Sequence, residues 1–304
     1  QRMMNGQTAR GVLMALGTAL AWGGTGSFAK LIAAGGVSQL TVVCYRGFFA
    51  AAVVGLFMLA RRGSRFFRCT RAELAQYAAL GVFTVLFNAT GYMMSCVYLS
   101  VPQVLMLNYT FPIVTMAGSA LINGERPAPL QVLSGFLVLA GLYVGFAAGG
   151  VDLRSISLMG VAWSMLSVAG LSGNALLSRR ISGQSEPLKQ LFYSHLLGAL
   201  MLAAIRTCAE GWPDLANMTP RIFLYMQYPA TFAALVGYGL LFSALRRISA
   251  SLASMICTME IVFAAALTPL IIGEVPPLHE LAGCAVIAGA VLLSIASERG
   301  GKSA

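Results

Sequence analysis

The sequence predicts an all-α polytopic membrane protein, with ten transmembrane helices in two inverted five-helix repeats and both termini cytoplasmic. Three observations predict it. The 304 residues are 58% hydrophobic and only 10% charged, whereas soluble domains carry about 25% charged residues. The apolar residues fall in runs of about 20, the length that crosses a bilayer. The second half of the chain also repeats the first.

Ten runs have that length, at 12–33, 38–60, 74–97, 101–122, 129–149, 156–178, 188–208, 220–243, 249–271 and 278–297. The first follows the polar stretch Gln1 to Arg10, is full-length and lacks a small-residue cleavage site. It therefore reads as a span and not as a signal peptide. The longest gaps, 61–73 and 209–219, hold no separate domain, and no segment has the pattern of a nucleotide-binding loop. Energy is expected from gradients.

Orientation follows from the basic residues. With the N-terminus inside, cytoplasmic segments hold Arg2, Arg10, Arg61, Arg62, Arg65, Arg68, Arg71, Arg126, Arg179, Arg180, Lys189, Arg246, Arg247, Arg299 and Lys302. Only Arg154, Arg206 and Arg221 lie outside, while Lys30 and Arg46 fall within or near spans. This bias is the positive-inside pattern, so the net charge of +10 reflects topology and does not point to nucleic acid. The six cysteines are scattered with no CxxC pair, which reads as packing. No metal site and no cofactor are expected.

Shifting the chain by 149 residues sets Gly11 on Gly160, Gly24 on Gly173, Lys30 on Arg179 and Ser100 on Ser249. It also sets Gly124-Glu125 on Gly273-Glu274 and Pro127 on Pro276. The two repeats are read as 11–149 and 156–297. Five spans per repeat is an odd number, so the halves must run in opposite directions. A site between such halves, at the midplane, is a secondary-transporter arrangement.

The candidate site residues come from polar and aromatic groups at mid-span. Glu260 is the one acidic residue in the middle of a span, where a carboxylate costs roughly 3 kcal/mol on insertion scales. It either attracts a cationic substrate group, exchanges a proton, or is held structurally by a neighbouring helix. The equivalent position in the first half is Phe111. Asn108, Phe111 and Thr115 share a face of span four at helical spacing, with Tyr109 beside them. These residues either contact substrate or join helices. Asn88 and Tyr92 in span three, Tyr238 in span eight, Trp22 in span one and Trp163 in span six complete the substrate-binding candidates. Arg46 and His195 occupy equivalent positions in spans two and seven and are candidates for gating or proton movement. Each has a plainer reading, as a snorkelling arginine and a hydrogen-bonded core histidine. Pro112 and Pro229 interrupt spans four and eight and would bend them, as gating elements. Lys30 and Arg179 read as interface anchors, and the Gly-Glu hairpins as tight turns.

Several of these residues carry a likeness. The Ala19-Leu20-Ala21-Trp22-Gly23 stretch, Arg46 and the Gly-Glu pair of each half resemble the drug/metabolite transporter (DMT) superfamily, in particular its EamA-type ten-helix members. The resemblance covers nearly the whole chain as two EamA-like repeats. It implies a central cavity with alternating access, surrounded by spans 1, 3, 4, 6, 8 and 9, with 5 and 10 peripheral, and it places Trp22 at the cavity edge. Many members carry Pro directly after the Glu that matches Glu260. This chain has Ile261, which implies a less kinked ninth span.

The expected function is secondary active transport of a small organic metabolite, foremost an amino acid or another amine-bearing solute. Proton-coupled export across a bacterial inner membrane is the expected setting. An S-adenosylmethionine-type cofactor also fits an anionic site with aromatics. An exchanger of nucleotide sugars or phosphorylated metabolites needs cavity cations. It ranks lower because spans three, four, eight and nine hold no mid-membrane Lys or Arg. An intramembrane enzyme needs a nucleophile with a base, or a metal cluster, and no such set is visible. The expected partners are the substrate, the lipid bilayer and protons, for a monomer or weak homodimer.

Overall fold

The computed structural model describes residues 6–99, 101–125, 127–147, 157–273 and 275–300. Its helices are α1 (Gly6–Ala34) and α3 (Arg71–Tyr98), with α2 (Gln39–Arg62) between them, then α4, in pieces Val101–Asn108, Phe111–Gly118 and Ser119–Asn123, and α5 (Pro129–Ala147). The second half holds α6 (Leu158–Ile181), α7 (Pro187–Ala209), α8 (Pro220–Leu245) and α9 (Ala250–Ile272), then α10 (Leu278–Gly300). Eight of these are long and apolar enough to cross a membrane, and α4 and α5 contribute shorter apolar stretches. Among the described residues there is no strand. The repeat limits at 149 and 156 lie outside the described residues, as does Glu274.

Local chemistry sets the helix ends. The side chains of Ser38, Thr70, Ser157, Thr219 and Ser249 each accept a first-turn backbone N–H, satisfying donors that a helix start leaves open. Thr70 and Glu73 form a reciprocal capping box. At the other ends of α4 and α9, Gly124 (φ 66°) and Gly273 (φ 74°) take the left-handed conformation. That conformation costs a residue with a Cβ and suits glycine. The two Gly-Glu motifs are therefore helix stops, used twice.

Interior irregularities repeat as well. The backbone widens to π geometry at Val82–Ala89 in α3 and at Pro229–Gly237 in α8. Helix α4 breaks at Tyr109 and Thr110, and α9 at Thr258 and Met259, positions 149 apart. The expectation of a less kinked ninth span is thus corrected. Pro112 follows the break in α4, while α9 breaks at the same place with Ile261 there. The threonine hydroxyls at both breaks bond back into their own helix, Thr110 to the Leu107 carbonyl and Thr258 to that of Met255 (both 2.7 Å), offering the backbone a local alternative to helix.

Packing follows an approximate two-fold relation. Helix α1 lies against α8 and α9, and its equivalent α6 lies against α3 and α4; α2 pairs with α7, and α5 with α10. Small residues bring α5 and α10 together. A Cβ built on Gly283 would sit 2.5 Å from the Gly141 carbonyl oxygen and 2.8 Å from Gly145 Cα, so only glycine fits there. Leu121 and Leu270, again 149 apart, are strongly exposed, as lipid-facing side chains are.

Candidate functional site

A cavity opens where the two halves meet. Trp22 and Thr25 of α1, Arg46 of α2, Asn88, Ala89, Tyr92 and Met93 of α3, Asn108, Tyr109 and Phe111 of α4 line it from the first half. Leu171 of α6, Ala233 and Tyr238 of α8 and Glu260 of α9 line it from the second. Its volume is about 70 Å³.

The backbone irregularities place these groups. The break in α9 puts Glu260 in the first turn of a fresh helix, Glu260–Ile272, where the positive end of the helix dipole favours a carboxylate. The break in α4 does the same for Phe111, whose carbonyl accepts the Ser172 hydroxyl at 3.2 Å. The π segment of α8 frees carbonyls that α1 then satisfies. The Trp22 indole N–H donates to the Ala233 carbonyl (3.1 Å) and the Thr18 hydroxyl to that of Gly237 (3.1 Å). These bonds fix the Trp22 ring, which lies 5.2 Å from that of Tyr238.

A polar chain crosses the cavity wall. The Ser167 hydroxyl donates to the Asn88 side-chain carbonyl (3.1 Å), and the Asn88 amide donates to the Tyr238 hydroxyl (2.7 Å). It joins α6, α3 and α8. Asn108 donates to the Val104 carbonyl of its own helix (3.0 Å). The Tyr109 hydroxyl lies beside the Glu260 carboxyl. Glu260 is deep in the bundle but keeps part of its surface open to the cavity.

Arg46 is buried, 7% exposed, and lines the same cavity as Glu260 without an ion pair to it among the described residues. Spans three, four, eight and nine bring no Lys or Arg to the lining; the cavity's arginine comes from span two. His195, its repeat equivalent, sits behind the wall. Its ring is 5.0 Å from Tyr238, its Nδ1 is 3.1 Å from the Leu191 carbonyl, and its Nε2 is buried with no partner among the described residues.

Trp163 is half-buried on α6 and outside the cavity lining. At its level the α3 and α6 backbones touch, with the Trp163 carbonyl against Gly91, so no space is left between them. Pro112 occupies the first turn after the α4 break, and Pro229 opens the α8 π segment. Arg179 is more than an interface anchor. Its guanidinium holds Glu125 at 2.6 Å and donates to the Leu245 carbonyl at 2.9 Å, while Glu125 also accepts the Ser119 hydroxyl. It thus ties the end of α4 to α6 and α8.

The lining also holds Thr25, Ala89, Met93, Leu171 and Ala233, which polarity alone does not single out. The repeat does for two of them: Leu171 stands 149 residues after Trp22, and Ala89 149 before Tyr238. With Phe111 and Glu260, three repeat-equivalent pairs face one cavity.

The model of the EamA-like transporter family matches the chain twice, over residues 9–146 and 158–296. The chain belongs to the EamA-like transporter family. This EamA-like transporter is also 27% identical, over 136 residues, to the UDP-N-acetylglucosamine transporter yea4 of Schizosaccharomyces pombe. That match covers 41% of the chain and 43% of the yeast protein, so it spans well under half of either. A solved structure, described only as a crystal structure of a protein, shares the fold with a TM-score of 0.76 at 17% identity. It covers 96% of this chain and 98% of that one. The family and the membrane-length apolar helices make the protein a multi-pass membrane transporter.

Proposed function

We propose that the protein is a secondary transporter for a zwitterionic amino acid or a closely related amine-bearing metabolite. One observation carries this reading: Arg46 and Glu260, opposite in charge and not ion-paired to each other among the described residues, line one cavity. An α-carboxylate suits the guanidinium, which presents forked donors. An ammonium suits Glu260, and the aromatic faces of Trp22, Tyr92 and Phe111 suit an apolar side chain. Tyr238, Asn88, Asn108 and Tyr109 supply hydrogen bonds around both ends.

On this reading the repeats, residues 11–149 and 156–297, rock about the cavity in an inner membrane with cytoplasmic termini. The α4 and α9 breaks and the Pro112 and Pro229 segments act as hinges. Glu260 exchanges its substrate ammonium for a proton, which couples export to proton entry. The cavity, at about 70 Å³, is smaller than the roughly 150 Å³ that takes up one benzene ring. Substrate entry therefore requires the lining helices to part.

A second reading, an exchanger of nucleotide sugars or phosphorylated metabolites, gains from Arg46 at the cavity and from the yea4 match. One experiment separates the two. Purified protein in liposomes is offered labelled amino acids, their decarboxylated amines, their deaminated acids and UDP-sugars, with and without a proton gradient. Uptake of the intact amino acid, with loss when either charged end is removed, supports the zwitterion reading. Uptake of UDP-sugar with no amino acid uptake replaces it.

A further inference from the structure

The linkers on the two faces of the bundle are repeat equivalents. Each holds a short 3₁₀ turn, Gly63–Phe67 between α2 and α3 and Pro213–Asn217 between α7 and α8. Each leans on a loop from the other half. Their charge balance differs.

The α7–α8 linker supplies its own anion. Asp214 is 2.5 Å from the Arg206 guanidinium and accepts the Thr41 hydroxyl (2.6 Å) and the Ser38 backbone N–H (2.9 Å). Arg206 also donates to Thr41 and to the Gly211 carbonyl, and lies over the Trp212 ring. Both charges are buried and satisfied.

At the position equivalent to Asp214 the α2–α3 linker has Arg65. It lines a surface cleft with Arg61, Arg62, Phe66, Glu186 and Lys189, four cations against one carboxylate. Glu186 is already engaged by Arg62, at 2.8 and 2.9 Å. Lys189 donates to the Arg68 backbone carbonyl (2.9 Å) and interacts electrostatically with Glu73. Arg65 has no ion pair among the described residues, and Arg61 lies over the Phe57 ring at 5.3 Å. The last turns of α2 leading into the cleft expose Leu56, Phe57 and Leu59. The cleft therefore opens at the end of a lipid-facing stripe.

We propose that this cleft binds the phosphate headgroup of an anionic phospholipid, its acyl chains lying along Leu56, Phe57 and Leu59. The headgroup supplies from the membrane the anion that Asp214 supplies internally on the opposite face. Arg61, Arg65 and Lys189 hold the phosphate, since basic pockets beside membrane helices recognise such groups. Because Arg65 belongs to the first half and Lys189 to the second, a bound lipid bridges the two repeats.

The test is lipid retention by native mass spectrometry, with purified protein titrated in detergent with phosphatidylglycerol, phosphatidylcholine or inorganic phosphate. Wild type is expected to retain phosphatidylglycerol preferentially. Its affinity is expected to fall roughly 100-fold in the triple variant Arg61→Ala/Arg65→Ala/Lys189→Ala and roughly fivefold in Arg65→Gln, at about 1 kcal/mol per basic residue. Arg221→Ala, on the opposite face, is expected to change nothing. Wild-type affinity in both cleft variants, or no preference over phosphatidylcholine, overturns the proposal. Inorganic phosphate displacing the lipid at equal concentration overturns the lipid assignment in favour of a soluble anion. Transport itself is not read in this experiment, so its failure leaves the substrate reading untouched.

Discussion

The two halves of this transporter share a backbone and divide the chemistry. The glycine stops Gly124 and Gly273, the breaks in α4 and α9, the π segments of α3 and α8 and the linker turns stand 147 to 150 residues apart, whereas the side chains placed by them differ. Phe111 is the repeat equivalent of Glu260, Leu171 of Trp22 and Ala89 of Tyr238, and Arg46 stands where the second half has His195. On the proposed transport cycle, a symmetric scaffold with asymmetric walls would let the halves exchange conformations while a solute keeps one orientation between them. Three perturbations test how far backbone symmetry and chemical asymmetry are separable.

The largest expected effect lies in the linkers. Asp214→Asn leaves Arg206 buried without its counter-charge, a change that costs about 3 kcal/mol. Arg65→Ala, at the equivalent position, removes an exposed side chain and is expected to stay within about 0.5 kcal/mol. Thermal unfolding in lipid-free detergent checks both, and equal effects would erase the contrast between the faces. The pH response follows from the same site. Burial pushes the Asp214 carboxyl up, but the Thr41 hydroxyl, the Ser38 amide and the Arg206 charge outweigh it and hold it below the ordinary carboxylate range. A group lowered on folding stabilises the protein above its unfolded value of about 3.9. That contribution fades as pH falls through the lower folded value. Asp214→Asn is expected to flatten this acid limb.

Next in size is the cavity. Glu260→Gln removes the charge meant for a substrate ammonium, and losing one partner of such a pair costs at least about 2 kcal/mol, or roughly 30-fold in affinity. Moving the carboxylate to the other half, as Phe111→Glu with Glu260→Phe, is expected not to restore uptake, because Arg46 stays in place and the solute then meets both charges from one side. Proteoliposome uptake measures each. Full activity in Glu260→Gln, with an unchanged response to a proton gradient, removes the role given to Glu260. Recovery in the exchanged variant would mean that the walls are as interchangeable as the backbone.

Much of this was legible in the sequence, for physical reasons. Ten apolar runs and an offset of 149 define helices and their pairing because burial in lipid leaves the backbone few alternatives. Glu260, Trp22 and Tyr238 announced themselves by depth and polarity, and the structure brings them to one cavity. Arg46 did not announce its direction, because a basic residue a third of the way into a span can turn towards headgroups or inward, and only tertiary packing decides. Trp163 lies outside the lining for the converse reason, since depth along a helix does not specify azimuth. The break in α9 was hidden as well. A proline marks such a break, but Thr258 and the geometry inherited with the repeat produce it without one.

The smallest expected effects are also the most symmetric. Gly124 and Gly273 close α4 and α9 with φ of 66° and 74°, and a Cβ added at either meets nothing within 4 Å. Substitution by alanine therefore costs only the left-handed backbone preference, about 1 kcal/mol. Because neither site touches the cavity, Gly124→Ala and Gly273→Ala are expected to destabilise the protein equally and to leave substrate affinity unchanged. Thermal unfolding paired with equilibrium substrate binding reads both quantities. A clear inequality between the two variants would mean that the helix stops, like the cavity walls, have diverged in role, and that the backbone symmetry is only geometric.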